Sequence, residues 1–374
     1  MSYNGICSWN SDAYLKDSVT QGIKSIQDAT FPILALIGDA DTPTSQPVHT
    51  FYDDYYMYES ATLASGYTAA SDTTMTVSTG QGKRFRPGMT FQAGTTGVFY
   101  KVVSIAGDVL TVGSAAFYGT KANLSSATVL YIITGADIEA VVPDTNLVLR
   151  TEIPRTTHLQ DIEIPINVSD VQNSSIKDIG VSQYAKSRTR AINAALAFYE
   201  GAVVMGYGSA EKGTTPSGTV RRYMSGLYTT ISNTVSAGSF SSATFGGAFS
   251  TLLEKGCNPL RKVLLVNPSF YNDIAGEYSS QFQSPASSQY ASISVNRITT
   301  AIGDLEIIPC GRLRIPKTAI LVDLDRVNLT HLQNEHWHEI KYAKTARAAD
   351  GAIAGTVGLE IAGRDLSHAV ITWT

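Results

Sequence analysis

The chain is short of charge. Asp, Glu, Lys and Arg make up 16% of its 374 residues, against roughly a quarter in an ordinary globular protein. It is short of cysteine too. Cys7, Cys257 and Cys310 stand far apart and odd in number, which excludes a disulfide framework and a zinc-finger spacing and fits a reducing compartment. Basic runs are missing: the net charge is −4 and no block of Lys and Arg forms a nucleic-acid stripe. Long apolar runs are missing as well. "FPILALIG" at 31–38 is too short to span a bilayer, and the first residues, "MSYNGICSWNSDAYLKDSV", lack the apolar core of a signal peptide. No membrane partner is expected.

Catalytic signatures are also absent. A phosphate loop needs Gly, four residues, Gly, Lys and then Ser or Thr. In "EKGTT" Lys212 precedes Gly213, and in "GQGKRF" Gly82 and Lys83 are followed by Arg84. Gly206 and Gly208 follow a helical pattern, whereas a phosphate cradle opens one. No G-x-S-x-G elbow and no Cys–His signature appears. We assign no catalytic, cofactor-binding or metal residue and no cofactor, and expect no enzyme.

What is present is apolar and small. Hydrophobic residues reach 43%, tyrosines number 19, and mean hydropathy is near zero. A core is available, and a surface so poor in charge suits extensive subunit contacts. Residues 1–45 lack a clear period and read as an arm. "AYLKDSVTQGIKSI" has the pattern of a short helix, and "DADTPTSQPVHT" is turn-rich. From 61 to 136 short β-branched runs alternate with Gly, Asp and Ser. "KVVSIAGDVLTVGS" reads as a hairpin turning at Ala106, Gly107 and Asp108. This is a compact all-β module. Residues 137–178 continue extended, with Pro143, Pro154 and Pro165 suited to edges.

"VSQYAKSRTRAINAALAFYEGAVVMGYGSAEKG" at 181–213 carries the longest helical pattern. Tyr184, Arg188, Ala191, Ala195, Phe198 and Ala202 share one face, widened by Ala185, Ile192, Leu196, Tyr199 and Val203. A helix over about 180–205 would be roughly 40 Å long. "GYGSAEKGTTPSG" is then its stop and a loop. Further on, "TFGGAFSTLLEK" (244–255) is helix-like, "KVLLVNP" (262–268) a buried strand and "PSFYNDIAGEY" a helix. "SVNRITTAIGDLEIIPC" and "TAILVDLDRVNLTHL" read as strands, and "GTVGLEIAGRDLSHAVITWT" as two strands joined near Gly363. This half mixes strand and helix, so the fold class is α+β.

The strongest metal hint is "HLQNEHWHEI", with His331, Glu335, His336, His338 and Glu339. Histidines two apart on a strand share a face and can bind zinc, but H-E-x-x-H would need His at 342, where Tyr342 stands. The plainer reading is a strand with a wet polar side and with Trp337 and Ile340 turned inward. Asp323 and Asp325 in "LVDLDRV" read as turn and edge groups, with a metal pair as the alternative.

The order of parts resembles the major capsid protein of tailed bacteriophages, the Hong Kong 97-type fold. "LVNPSFYNDI" resembles its strand, Asn-Pro, helix unit. "TTAIGDLEIIPCGRLRIPKTAILVDLDRVNLTHL" resembles its two-strand run with a Gly turn and a Pro turn. "GLEIAGRDLSHAVITW" resembles its final strands, with Glu360 in a commonly acidic place and His368–Ala369 near the end. The match covers about residues 140–374.

The resemblance implies an N-terminal arm at 1–45 and an extension loop at 46–60 and 137–165 interrupted by an inserted all-β domain at 61–136. It implies a peripheral domain at 166–244 and 346–374, with a spine helix at about 180–205, and an axial domain at 245–345. It implies a structural protein of the virion, made in the host cytoplasm. Pentamers and hexamers would close an icosahedral or prolate head around double-stranded DNA, with weak, non-specific contact to the packaged duplex. Partners would be a portal and possible decoration proteins. No long charged helical segment precedes the arm, so any scaffold is expected to be separate. The type member's Lys–Asn cross-link maps to no residue. Two alternatives remain: an encapsulin-like cellular shell of the same fold, and a metal-dependent hydrolase using His331, His336 and His338.

Overall fold

The computed structural model describes residues 31–37, 43–54, 60–136, 152–169, 183–212, 220–238, 246, 247, 250, 252, 262–277, 282–283, 289–290, 293–294, 296–300, 303–342 and 348–373. The helix expected in "AYLKDSVTQGIKSI", most of 244–255 and the extended stretch 137–151 lie outside these residues.

The longest helix is Gln183–Met205. Ala, Leu, Arg and Lys hold it together, and neither Gly nor Pro interrupts it before Gly201. Its buried face is Ala191, Ala195, Tyr199 and Val203, with Val204 beside them. This corrects the face read from the sequence. Phe198 is 61% exposed, and Arg188 turns to the surface to meet Glu339. A step of three residues and a step of four differ by 100° on a helix, and the core took the i+4 series 191, 195, 199, 203. The segment after the helix is also more ordered than expected. Tyr207–Lys212 is a strand, paired antiparallel with Val220–Ser225.

The helix lies on a four-stranded body sheet. The spine of that sheet is the 14-residue strand Ala348–Ile361. Gln160–Ser169 pairs along one edge of it, and Val327–His331 and His338–Lys341 share the other, all antiparallel. Ile162, Ile166, Val168, Ile353 and Val357 meet Ala191, Ala195, Tyr199 and Val203 in one core. Gly355 makes room in this contact: a Cβ there would stand 2.7 Å from the Trp337 ring, which packs edge-on against Tyr199.

A seven-stranded sheet runs in the order Thr234–Ala237, Ala369–Trp373, Thr318–Asp323, Lys262–Val266, Gly303–Pro309, Asn296–Thr300, Phe282–Gln283. Its central strands read as unbroken apolar runs because both faces are covered. Val263, Leu265, Ile320 and Val322 face the core shared with the long helix. Leu264, Val266, Ala319 and Leu321 face a second core built around Phe270 and Ile274, on the helix Pro268–Glu277. That helix starts where Asn-Pro suggests: Asn267 Oδ1 accepts the Ser269 N–H at 2.9 Å, with Pro268 in the first turn. Strand pairing crosses residue 345. Val327–His331 and His338–Lys341 belong to the body sheet, whereas Ala369–Trp373 leaves it for the seven-stranded sheet.

Val48–Asp53 and Ile153–His158 form a two-stranded antiparallel ribbon, with Asp53 opposite Ile153. Residues 60–136 lie between its strands in sequence and close into a barrel. The strand order is Ser60–Thr62, Val129–Gly135, Met89–Ala93, Phe99–Ala106, Val109–Val112, Thr74–Thr76. The first and last meet through the Leu63–Val77 bridge. Ala64 N–H donates to Thr76 O, and Ser78 N–H to Thr62 O, each at 2.8 Å. Closure removes both sheet edges. The barrel has its own core, including Leu63, Met75, Phe91, Tyr100, Leu110 and Leu130.

Candidate functional site

The strongest polar cluster lies at the root of the ribbon. Arg155 donates from Nε to Asp53 Oδ2 at 2.8 Å and from Nη2 to both carboxylate oxygens of Asp365, at 2.8 and 2.7 Å. Asp53 Oδ1 accepts the Gly363 N–H at 2.9 Å. Gly363 has a φ of +65°, the left-handed conformation that glycine enters without steric cost. It turns the chain out of the body sheet. The ribbon is therefore tied through one guanidinium to the segment Ala362–His368, where the chain passes from one sheet to the other.

The same segment is tied from below. Lys262 is fully buried, donates from Nζ to Ser367 O at 2.7 Å, and sits 3.6 Å from Asp323 Oδ2. Arg326 Nε approaches the same oxygen at 3.5 Å. His368 Nδ1 accepts the Asp323 N–H at 3.1 Å, and its Nε2 lies 3.0 Å from Ala362 O. One nitrogen accepts and the other faces a carbonyl, so the ring is neutral with its proton on Nε2. Burial pushes its pKa down to about 4; Lys262 and Arg326 add to that, and the Ala362 carbonyl opposes it. Asn233 Nδ2 donates to His368 O at 2.8 Å. Three cations, Arg155, Lys262 and Arg326, thus face three carboxylates, Asp53, Asp323 and Asp365. Lys262 with Asp323 and Arg155 with Asp53 are the buried pairs of this set, where removing one partner costs about 3–5 kcal/mol; Arg326 and Asp365 lie nearer the solvent.

Sequence reasoning missed this joint. Asp323 read as a turn and edge group beside Asp325, with a metal pair as the alternative, and "GRDLSHA" as the connection between the final strands. The readable signal was Lys262. A lysine opening a strand as apolar as "KVLLV" needs a carboxylate across the ladder, and Asp323 is its register partner.

A second anchor holds the short helix Pro32–Ile37. Glu200 Oε1, on the long helix, accepts the Ile33 N–H at 3.1 Å, and Glu200 Oε2 lies 3.5 Å from Arg312 Nε. Burial raises the Glu200 pKa, and the Ile33 amide and Arg312 pull it back. Ile33 itself enters the main core.

The histidines form a surface turn. His338 Nδ1 lies 2.8 Å from His336 O, and its Nε2 lies 3.7 Å from Glu335. The His331 and His336 rings are 4.4 Å apart and tilted by 48°. Glu339 turns to the other side of its strand, accepting from Tyr184 Oη at 2.8 Å and Arg188 Nε at 2.6 Å, and both donors lower its pKa. Among the described residues no three His, Cys, Asp or Glu side chains converge where an ion could sit. Asp323 faces Lys262 and Arg326, and one of its oxygens takes the Asp325 N–H. Cys310 is buried, and burial pushes its thiol up to about 11, far from a nucleophile's range.

What this geometry does is mechanical. It joins two sheets, a helix and a ribbon carrying a barrel. Among solved structures, the capsid of the empty GTA particle is similar at a TM-score of 0.53 and 8% identity, over 100% of both chains. The capsid of cyanophage P-SCSP1u is similar at a TM-score of 0.50 and 8% identity, over 97% of this chain and 94% of that one. An encapsulin complex from Synechococcus elongatus PCC 7942 matches at a TM-score of 0.44 and 12% identity, over 59% of this chain and 77% of that one. No curated protein matches. The fold is the Hong Kong 97-type capsid fold. The family model of the SU10 major capsid protein spans residues 7–374. The chain belongs to that family and is a capsid shell protein.

Proposed function

We propose that this chain forms pentamers and hexamers of a tailed-phage head that encloses double-stranded DNA, with a portal at one vertex. The ribbon Val48–Asp53 and Ile153–His158 is the root of an extension loop spanning 46–60 and 137–165, and the inserted barrel rides on it. Residues 1–45 act as the N-arm. The peripheral domain takes 166–244 and 346–374, together with strands 327–341. The axial domain takes the rest of 245–345, together with strand 369–373.

The observation that carries this reading is the Arg155 joint. A two-stranded ribbon is marginal alone, and here its root is clamped to the connection between the two sheets. A clamped arm that carries a separate barrel suits contact with a neighbouring subunit, and closed shells arise when the same patches meet around symmetry axes. The test is expression of the full chain, alone and with candidate scaffold proteins, followed by sedimentation and negative-stain microscopy. Pentamers, hexamers or shells are expected. A stable monomer at tens of micromolar in every salt and scaffold combination would reject the reading.

A further inference from the structure

The barrel and the remainder of the chain differ in charge. Residues 60–136 carry five Lys and Arg against two Asp, a net +3. The remaining residues carry 23 basic and 30 acidic side chains, a net −7.

The barrel also exposes apolar groups along one flank. Two β-bulges interrupt its ladders, between Val102 and Ser104 and opposite Thr90–Phe91. At each bulge two successive residues face outward against one partner: Val103 with Ser104, and Ile133 with Thr134. Val103 and Ile133 are 54% and 49% exposed. They stand on the two strands that border Met89–Ala93: Ile133 is beside the Thr90–Phe91 step, Lys101 is opposite Thr90, and Val103 is two residues further along. Lys101 stands exposed on the same flank. Next to it, Tyr118 is bridged to Phe99 and packs edge-on against that ring at 5.8 Å. Tyr118 is 68% exposed, yet its backbone is pinned both ways to Phe99, at 3.0 and 3.2 Å. A rigid aromatic presented this way loses little entropy on binding.

A complementary face exists on the same chain. On the side of the body sheet turned away from the long helix stand Asp161, Glu163 and Asp350, by the register of Gln160–Ser169 with Ala348–Ile361; Glu360, further along, lies 3.5 Å from His49 Nε2. No Lys or Arg shares that side among the described residues of the sheet. Thr356 Oγ1 and Tyr342 Oη, both neutral groups, donate to Asp161 and Glu163.

We propose that the barrel flank bearing Lys101, Val103, Ile133 and Tyr118 docks on the acidic sheet face, Asp161 and Glu163, of a second copy of this chain within the shell. The apolar bulge residues supply the buried centre of the contact. Lys101 supplies register by charge, as opposite potentials across an interface do. This rests on the shell reading above.

The experiment uses the full chain with Val103→Cys or Ile133→Cys, labelled with a maleimide as free subunits and as shells. Labelling is counted as the increment over the wild-type cysteines. Both positions should react readily in free subunits and at least about ten-fold more slowly in shells, since access controls thiol reaction. A variant that melts like wild type but no longer assembles also counts for the contact. Equal labelling in shells and free subunits overturns the proposal and leaves the flank to a partner other than this chain. Lys101→Glu should lower the yield of shells, more so at 0.05 M than at 0.5 M salt, and an unchanged yield removes the acidic face as the receptor. If the wild-type chain never forms shells, it is the shell reading that fails instead.

Discussion

His368 is the residue whose protonation the fold opposes most plainly. Its Nδ1 holds the Asp323 amide, so a proton there would set two donors against each other. The folded pKa of about 4 lies below the ordinary value of 6.5. The unfolded chain therefore binds the extra proton more readily between those values. The stability that the neutral ring supports is fully present above about pH 6.5 and is lost as the pH falls toward 4, amounting to about 3 kcal/mol at most. Glu200 acts in the opposite sense. Its pKa is raised in the fold, so its contribution is present at low pH and is lost as the pH rises through the folded value. Comparing wild type with His368→Gln isolates the histidine. Urea melts at steps from pH 7.5 to 4.5 should show a steeper loss in wild type than in the variant. Coincident slopes would mean the ring is not held as described. None of this was legible in "SHA", because a histidine's tautomer is set by neighbours far away in sequence. The acceptor Ala362 is close in the chain, but the donor Asp323 is 45 residues away.

At the scale of elements, pattern went a long way and stopped at register. The strands "KVLLV" and "TAILVD" were legible because sheets covered on both faces need unbroken apolar runs. The hairpin at Gly107–Asp108 was legible because its turn chemistry is local: Gly107 takes the left-handed conformation, with a φ of +62°. The face of the long helix was legible only in part. Ala191, Ala195, Tyr199 and Val203 fell within the expected face. Phe198, more apolar than Tyr199, points outward, because the neighbouring strands give the Tyr199 hydroxyl an acceptor in Gly358 O. Closure of the barrel was likewise illegible, for it depends on the Leu63–Val77 bridge between the two outermost strands. Closure does give a prediction. The barrel core shares no buried residue with the other two, so replacing 62–134 by a short Gly/Ser linker should leave the remainder folded. Helix content by circular dichroism should be retained, while shells become fewer or melt earlier. Global unfolding on deletion would show that the ribbon and body depend on the barrel for their own stability.

For the molecule as a whole, the proposal that the shell encloses duplex DNA bears on how its basic side chains are used. Non-specific affinity comes mainly from Lys and Arg that neutralise phosphates and release counterions. The chain has 28 such residues against 32 acids, and the fold commits several of them internally. Arg155, Arg188, Lys262, Arg312 and Arg326 each face a carboxylate. Of the two small basic clusters in the sequence, "GKRFRPG" gives up Arg84, whose Nη1 donates to Ser60 O at 2.7 Å. "VRRY" lies on the strand Val220–Ser225, where alternation sends Arg221 and Arg222 to opposite faces. No continuous basic track remains among the described residues. The free subunit should therefore bind duplex DNA no tighter than the non-specific range of about 10⁻⁴–10⁻⁶ M at about 0.15 M salt. Filter binding across a salt series measures this directly, with a shallow slope expected because few phosphates would be contacted at once. Nanomolar binding with a steep slope would reveal a basic face outside the described residues. Under the proposed function, a duplex inside the shell would then be held by it rather than merely confined.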